Sequence, residues 1–355
     1  MKIYVHIGSD KTGTTAIQAA LKNNRKHLKE HGMVYPSLEK EPHQEALARE
    51  LLTGKKGAAW EKLEAILNQS PDHLILSSEM FCSISESAVQ LFKEWLGDHD
   101  VTIVAYLRSA DQYLESGVMQ RLKASKSDQD FFRLYRKIKW IPALFNPMVY
   151  ISGLKPRFVF RWARAFGEKN IRVRPYSEAQ WKDGNLISDF MATIGLNSIQ
   201  ESLQHSSQKR NVTPNIYAVY AMASFWSSTH PPIRHRFSEV MTRQYDQVKT
   251  SQITSNFKRN LARLISEPTF SRISREFGCP KPSQNDADSS NYAPSEKEII
   301  QQGQKLLLEF SVHQQKRIKA LEKNIHLKGS KERSLIPGKS NKLRQPTRHD
   351  TAKES

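Results

Sequence analysis

The sequence predicts an α/β fold, a parallel β-sheet flanked by helices, with a helical C-terminal extension. Three observations carry this expectation. A strand-like stretch, Lys2–Ile7, passes through a Gly-containing turn into a helical pattern. The most apolar stretch, Val101–Leu107, is nearly continuous, as in a central parallel strand covered on both faces. Shorter strand-like runs at His73–Glu79 and Ile171–Arg174 are separated by helical patterns, the crossovers that parallel strands need.

In order, Ile3, Tyr4, Val5 and Ile7 give the first strand its β-branched and aromatic character, and Gly8 ends it. From Thr14, residues Ile17, Ala20, Leu21, Asn24 and Leu28 fall on one helical face, and Gly32 stands where a C-cap glycine belongs. Met33–Pro36 reads as a short extended piece halted by proline. Helices are expected at Glu45–Leu52 and Ala58–Leu67, the second carrying Trp60, Leu63, Ile66 and Leu67 on one side. The His73–Glu79 strand, a helix at Ser85–Leu96 and the Val101–Leu107 strand follow. Ser109 is a plausible helix cap after Arg108. Further on, Phe158–Phe166 reads as a helix stopped by Gly167, Ile171–Arg174 as a strand, and Leu186–Ile194 as a helix before Gly195. Beyond 200 the pattern is helical: Asn215–Trp226, Phe257–Ile265, and a long helix opened by the capping box Ser295–Glu298. Pro280–Pro294 reads as a loop. Residues 329–355 are polar, basic and nearly devoid of apolar side chains, the composition of a disordered tail. The expected division is an α/β core at 1–200, a helical extension at 201–328 and the tail at 329–355.

With 355 residues and 38% hydrophobic content, the chain can build a substantial core. A mean hydropathy of −0.61 adds much exposed polar sequence. No apolar run approaches the roughly 18 residues that a membrane span needs. The first strand begins at once, which leaves no room for a signal peptide and predicts a cytoplasmic protein. Cys82 and Cys279 are too few and too far apart for a disulfide framework or a metal site. Lys+Arg number 54 against Asp+Glu 36, a net charge of +18. That excess favours anionic partners: a nucleotide, an acidic glycan, a nucleic acid or a membrane surface. No recognisable nucleic-acid motif singles out that class.

The chemistry concentrates in Gly8-Ser-Asp-Lys-Thr-Gly-Thr-Thr15. A strand, a glycine turn and a helix N-terminus aim backbone N–H groups and the positive end of the helix dipole at one spot. Lys11 adds a mobile charge, and Thr12, Thr14 and Thr15 add hydroxyls. Gly8 and Gly13 have the separation of the nucleotide triphosphate loop G-x-x-x-x-G-K-[ST], but Thr14 stands where that pattern has lysine. Arg108 ends the central strand, and Ser116 follows about two helical turns later, able to return toward the same pocket. Arg offers a bidentate fork to a phosphate, although an arginine at a strand end can equally be an ordinary ion-pairing residue. Ser78 and Glu79 end a strand whose carboxyl end should face the ligand crevice. His6 titrates near neutrality but lies within a strand, where histidine is more often a core residue. In 121–174, Arg121, Lys123, Lys126, Arg133, Arg136, Lys137 and Lys139 interleave with Phe131, Phe132, Tyr135 and Trp140. This is either a groove for an acidic acceptor or a solvated helix with its rings turned inward.

The order K-T-G-T-T resembles the 5′-phosphosulfate loop of sulfotransferases that use 3′-phosphoadenosine 5′-phosphosulfate (PAPS). Likewise, Y-L-R-S-x-x-x-x-x-x-S from Tyr106 to Ser116 is similar to their 3′-phosphate segment. Softer likenesses to the bacterial sulfotransferase domain are I-Q-x-x-L-x-x-N-R at Ile17–Arg25, the Tyr35–Pro36 pair, and W-A-x-x-F-G-x-x-x-I-x-V-R-P-Y with L-I-x-D-F-x-x-x-I-G-L between Trp162 and Leu196. Together they cover about residues 1–200. The resemblance implies a P-loop-like sulfotransferase fold and sulfuryl transfer from PAPS, releasing adenosine 3′,5′-bisphosphate (PAP). It implies that Lys11, Thr12, Gly13, Thr14, Thr15, Arg108 and Ser116 hold the donor, with Lys11 also catalytic. It implies Glu79 as general base and a glycan or glycoconjugate acceptor; His6 is the other candidate base, since imidazole titrates near neutrality, and no metal is expected because Lys11 and the loop amides can supply the charge stabilisation. Peripheral membrane association is compatible with the charge. Two other readings stay open: a P-loop kinase or NTPase with Glu79 holding Mg²⁺, and a non-catalytic polyanion-binding protein.

Overall fold

The computed structural model describes residues 1–40, 43–140, 155–196, 215–226, 237, 253–282 and 294–334. Five parallel strands form one sheet: β1 (Lys2–His6), β2 (Met33–Val34), β3 (His73–Ser77), β4 (Asp100–Leu107) and β5 (Ile171–Pro175), in the order β2-β3-β1-β4-β5. Helices α1 (Thr14–Asn23) and α2 (Arg25–Glu30) follow β1. Helices α3 (Glu45–Thr53) and α4 (Ala58–Leu67) fill the crossover to β3, and α5 (Glu86–Leu96) leads to β4. After β4 come α6 (Ala110–Lys123), α7 (Asp128–Trp140) and α8 (Phe158–Phe166), then β5 and α9 (Leu186–Thr193). The C-terminal part is helical, with α10 (Ile216–Trp226), α11 (Asn256–Phe277) and α12 (Glu296–Ser334). The fold is thus α/β with a parallel sheet and a helical C-terminal region, as its pattern predicts.

Alternation along the strands sends side chains into two separate cores. On one face Ile3, Val5, Leu74, Leu76, Ile103 and Ala105 pack with Trp60, Phe81, Phe92 and Trp162 from the α3–α5 and α8 side. On the other, Tyr4, Ile75, Val104 and Tyr106 meet Ile17, Leu21 and Leu28 of α1–α2 and Phe190 and Met191 of α9. Each such buried large side chain contributes about 1.5–3 kcal/mol. Both faces being covered explains why β4 reads as a continuous apolar run.

Two expected elements differ in detail. The helix after the glycine turn is broken at Asn24, whose amide Nδ2 donates to Ala20 O at 2.8 Å. A short polar side chain bonding its own preceding turn competes with helix continuation. Helix α11 is far longer than Phe257–Ile265 and runs through Pro268. Leu264, whose carbonyl the proline leaves without a donor, is exposed, so water can satisfy it. Ser295 does cap α12, its Oγ accepting from Glu298 N.

The residues Met1–Gly303 make one compact unit and Gln304–Ser355 a second, the boundary falling within α12. Most of the loop expected at Pro280–Pro294, and the tail beyond Ser334, lie outside the described residues. Among the described residues no helix is long and apolar enough to cross a membrane.

Helix α11 braces α6. Arg259 and Arg263 each donate to Asp111 Oδ2 at 2.8 Å, and Asp111 is fully buried. The carboxylate of Glu115 accepts from the backbone N–H groups of Ile253 and Thr254 at 2.6 and 3.1 Å, and from the Thr254 hydroxyl.

Candidate functional site

Chain order reverses at β1, which has β3 on one side and β4 on the other. Crevices form outside the carboxyl ends of strands at such a switch point. Three strands therefore deliver their last residues to one place: Gly8 from β1, Ser78 and Glu79 from β3, and Arg108 from β4. The loop stays tied to the sheet here. Gly8 O accepts from Tyr106 N at 2.8 Å, and Ser9 N donates to Tyr106 O at 3.1 Å.

Past Ser9 the loop folds on itself. The hydroxyls of Thr12 and Thr14 both donate to Ser9 O, at 2.6 and 3.2 Å, and both side chains are buried. They shape the loop, so of the three threonines only exposed Thr15 keeps a hydroxyl for a ligand. Among the described residues the backbone N–H groups of Lys11, Gly13, Thr14 and Thr15 find no acceptor, although Ala16 and Ile17 already bond Gly13 O. Unengaged donors at a helix start suit an anion. Gly13 has φ 74°, and a Cβ there would lie 2.4 Å from Leu186 Cδ2 and 2.9 Å from Tyr176 Cε2. Only glycine fits. Lys11 is itself left-handed, φ 63°, and its carbonyl accepts from Arg108 Nη1 at 3.5 Å. Next to it, the Asp10 carboxylate accepts from the Tyr113 hydroxyl at 2.9 and 3.0 Å.

Arg108 therefore touches the loop, as its place at the end of β4 predicts. Its Nε donates to Gln112 Oε1 at 3.3 Å, and its guanidinium lies 5.5 Å from the centre of the Tyr176 ring. Burial lowers its pKa, with Tyr176, Asp111 and Glu115 opposing. Among the described residues no carboxylate ion-pairs with it, unlike Arg174, Arg259 and Arg263. Ser116 is half-buried on α6, one turn beyond Gln112 and so on the same side of the helix.

Glu79 begins the short helical turn that runs to Ser83 after β3. Much of its surface is open, yet burial of the carboxyl raises its pKa, opposed by Lys11, reinforced by Asp10 and Glu45, and opposed again by His43. Glu79 and Lys11 are thus within electrostatic reach. His6 is elsewhere. It is fully buried among Tyr106 and Phe190, its Nδ1 2.9 Å from Ser77 Oγ, and burial pushes its pKa down to about 3. A neutral core imidazole beneath the sheet's end is its structural place.

Asp10, Gln112, Tyr113 and Tyr176 join the site without having been singled out by the sequence. Tyr176 had a readable signal, since it follows the strand beside β4 and so must reach the crevice end. The softer motif residues serve the frame. Arg25 donates to the carbonyls of Tyr35 and Pro36 at 3.0 and 3.1 Å. Buried Asp189 accepts from Arg174 at 2.5 Å and from the Tyr106 hydroxyl at 2.7 Å.

On α7, Phe131 and Tyr135 turn inward, while Phe132, Arg133, Arg136 and Lys137 line an open hollow of about 490 Å³. Arg133 is paired with Asp130 and Arg136 with Glu296. Residues 141–154 of the basic middle lie outside the described residues. Among the described residues no group of three or more His, Cys, Asp or Glu side chains could hold a metal ion.

The fold and site define a parallel α/β protein with a cationic, N–H-rich loop at its switch point. No family model matches the chain. A protein of Archaeoglobus fulgidus described as uncharacterized is 33% identical over 125 residues, which cover 35% of this chain and 30% of that protein. The chain thus spans less than a third of that relative's length, and the relative's description carries no activity.

Proposed function

We propose that this chain is a PAPS-dependent sulfotransferase of the bacterial carbohydrate type, acting in the cytoplasm on a hydroxyl of a saccharide or glycoconjugate. The observation that supports it is the pair of cations Lys11 and Arg108, which make no ion pair among the described residues, joined through Lys11 O and set beside the N–H groups at the start of α1. A nucleotide with a 5′-phosphosulfate and a 3′-phosphate needs two such anion-receiving places. The loop N–H groups and Thr15 would hold the phosphosulfate, and Arg108 with Ser116 the 3′-phosphate. Glu79 takes the acceptor's proton as the hydroxyl oxygen bonds to sulfur. The sulfur–oxygen bond to the leaving phosphate breaks, and PAP departs with the electron pair. Lys11 stabilises the charge growing on that oxygen, a contact that strengthens as the bond breaks. The step calls for no metal.

Calorimetric titration with PAP, 5′-AMP and Mg-ATP tests the donor site. A charge-assisted bond to the 3′-phosphate should favour PAP over 5′-AMP by roughly 10- to 150-fold. Tight Mg-ATP binding without that preference would support a P-loop kinase instead, and binding of none would leave a polyanion binder.

The base gives a second expectation. Burial raises the Glu79 pKa, so its carboxylate is protonated at a higher pH than an ordinary glutamate. Only the ionised form accepts a proton. Transfer should therefore fall as pH drops through this raised value, and Glu79→Gln should remove that acid limb along with most of the rate, by about 10²-fold or more. A pH–rate profile whose acid limb survives in the variant would assign the limb to another group.

A further inference from the structure

Lys11 holds a backbone conformation that lysine rarely adopts, φ 63°. A residue stays in such a conformation only where its surroundings hold it there. Part of the loop holds itself, since Thr12 and Thr14 both bond Ser9 O. Residues 10 and 11 are gripped by side chains from beyond the loop. Arg108 Nη1 donates to Lys11 O at 3.5 Å, and the Tyr113 hydroxyl donates to both Asp10 carboxylate oxygens, at 2.9 and 3.0 Å. The second grip is the firmer. The Tyr113 side chain is buried in the core that holds Leu107, Ala110 and Leu114, so its hydroxyl is a fixed point.

A carboxylate beside an anion cradle repels the ligand that the cradle attracts. Asp10 therefore calls for a compensating role, and its bond to Tyr113 supplies one. We infer that Tyr113 is a positioning residue: acting through Asp10, its hydroxyl holds Lys11 in the left-handed turn from which the amine reaches the leaving oxygen. This rests on the sulfotransferase reading of the same loop.

Three variants of the full chain test it: Tyr113→Phe, Lys11→Ala and the two combined. Tyr113→Phe keeps the ring and removes the hydroxyl. Single-turnover transfer from labelled PAPS should fall about tenfold, and PAP affinity by no more than about threefold. In the Lys11→Ala background the same change should cost less than about twofold, because no amine is left to misplace. An equal loss in both backgrounds would route the effect through Glu79 or through the fold at large, and would overturn the inference. A wild-type rate in Tyr113→Phe would do the same. Trypsin cleavage after Lys11 reads the loop without any transfer, since native-state cleavage tracks the opened population. It should be about tenfold faster in Tyr113→Phe, while cleavage after Lys93, within α5, stays within about twofold. Unchanged cleavage after Lys11, or an equal rise at both sites, would remove the Tyr113 grip whatever the activity. A wild type that neither binds PAP nor transfers, with the loop still opened by Tyr113→Phe, would refute the sulfotransferase reading and leave the grip standing.

Discussion

Lys11→Ala should lower sulfuryl transfer by about 10²–10³-fold, some 2.7–4 kcal/mol of transition-state stabilisation, while barely changing the melting midpoint. The two effects separate because of where the residue sits. Lys11 is only half-buried and makes no ion pair among the described residues, so its side chain does little for the fold. Its left-handed backbone, φ 63°, is equally awkward for lysine and alanine, so the exchange neither relieves nor adds strain there. PAP affinity should fall much less than the rate, because the amine is credited with charge that appears only as the bond breaks. Single-turnover transfer from labelled PAPS, beside scanning calorimetry, reads all three. A variant that transfers at the wild-type rate would remove Lys11 from the chemistry.

Asp111→Ala should cost about 3–5 kcal/mol, seen as a fall of roughly 6–15 °C in the thermal midpoint. The carboxylate is fully buried and receives both Arg259 and Arg263, and the Arg259 side chain is itself only 9% exposed. Without the acid, two guanidinium groups remain inside with nothing to neutralise them. Burial alone would raise the Asp111 pKa, but the hydrogen bonds from Arg263 and Arg259 outweigh it, and the net shift is downward. A depressed folded-state pKa contributes stability above the unfolded value near 4, and loses it as pH falls through the folded value. The difference between wild type and variant should therefore shrink in strong acid. Because Asp111 lies three residues after Arg108, PAP binding should weaken together with the fold. A midpoint within about 2 °C of wild type would mean that α11 is held to α6 by apolar contacts.

What the sequence disclosed follows from range. Periodicity and glycine placement are local, so β1, β4, α8 and the loop with Gly8, Lys11 and Gly13 could be read directly. Arg108 was legible because a parallel strand's carboxyl end has a predictable address. Long-range pairings left no such trace. Nothing in Ile253–Arg263 announces that it clasps Asp111 and Glu115; only the fold sets it against α6. The hydroxyls of Thr12 and Thr14 show a different limit. Their residue type suggests ligand donors, whereas the tight turn spends both on Ser9 O. His6 could be read either way, and only burial decides.

The sheet's register has a consequence for biogenesis. Lys2 lies beside His73 on one side and Asp100 on the other. The middle strand of the sheet is therefore made before either of its neighbours, and it cannot pair with them until some seventy to a hundred residues more have been synthesised. Loops of that length close slowly, because the entropy of bringing distant segments together is lost before their contacts form. The Lys11 loop leans on β4 through Gly8, Ser9 and Arg108, so it is completed only when that strand docks. A nascent chain shorter than this would carry the whole nucleotide-like motif and still lack its shape.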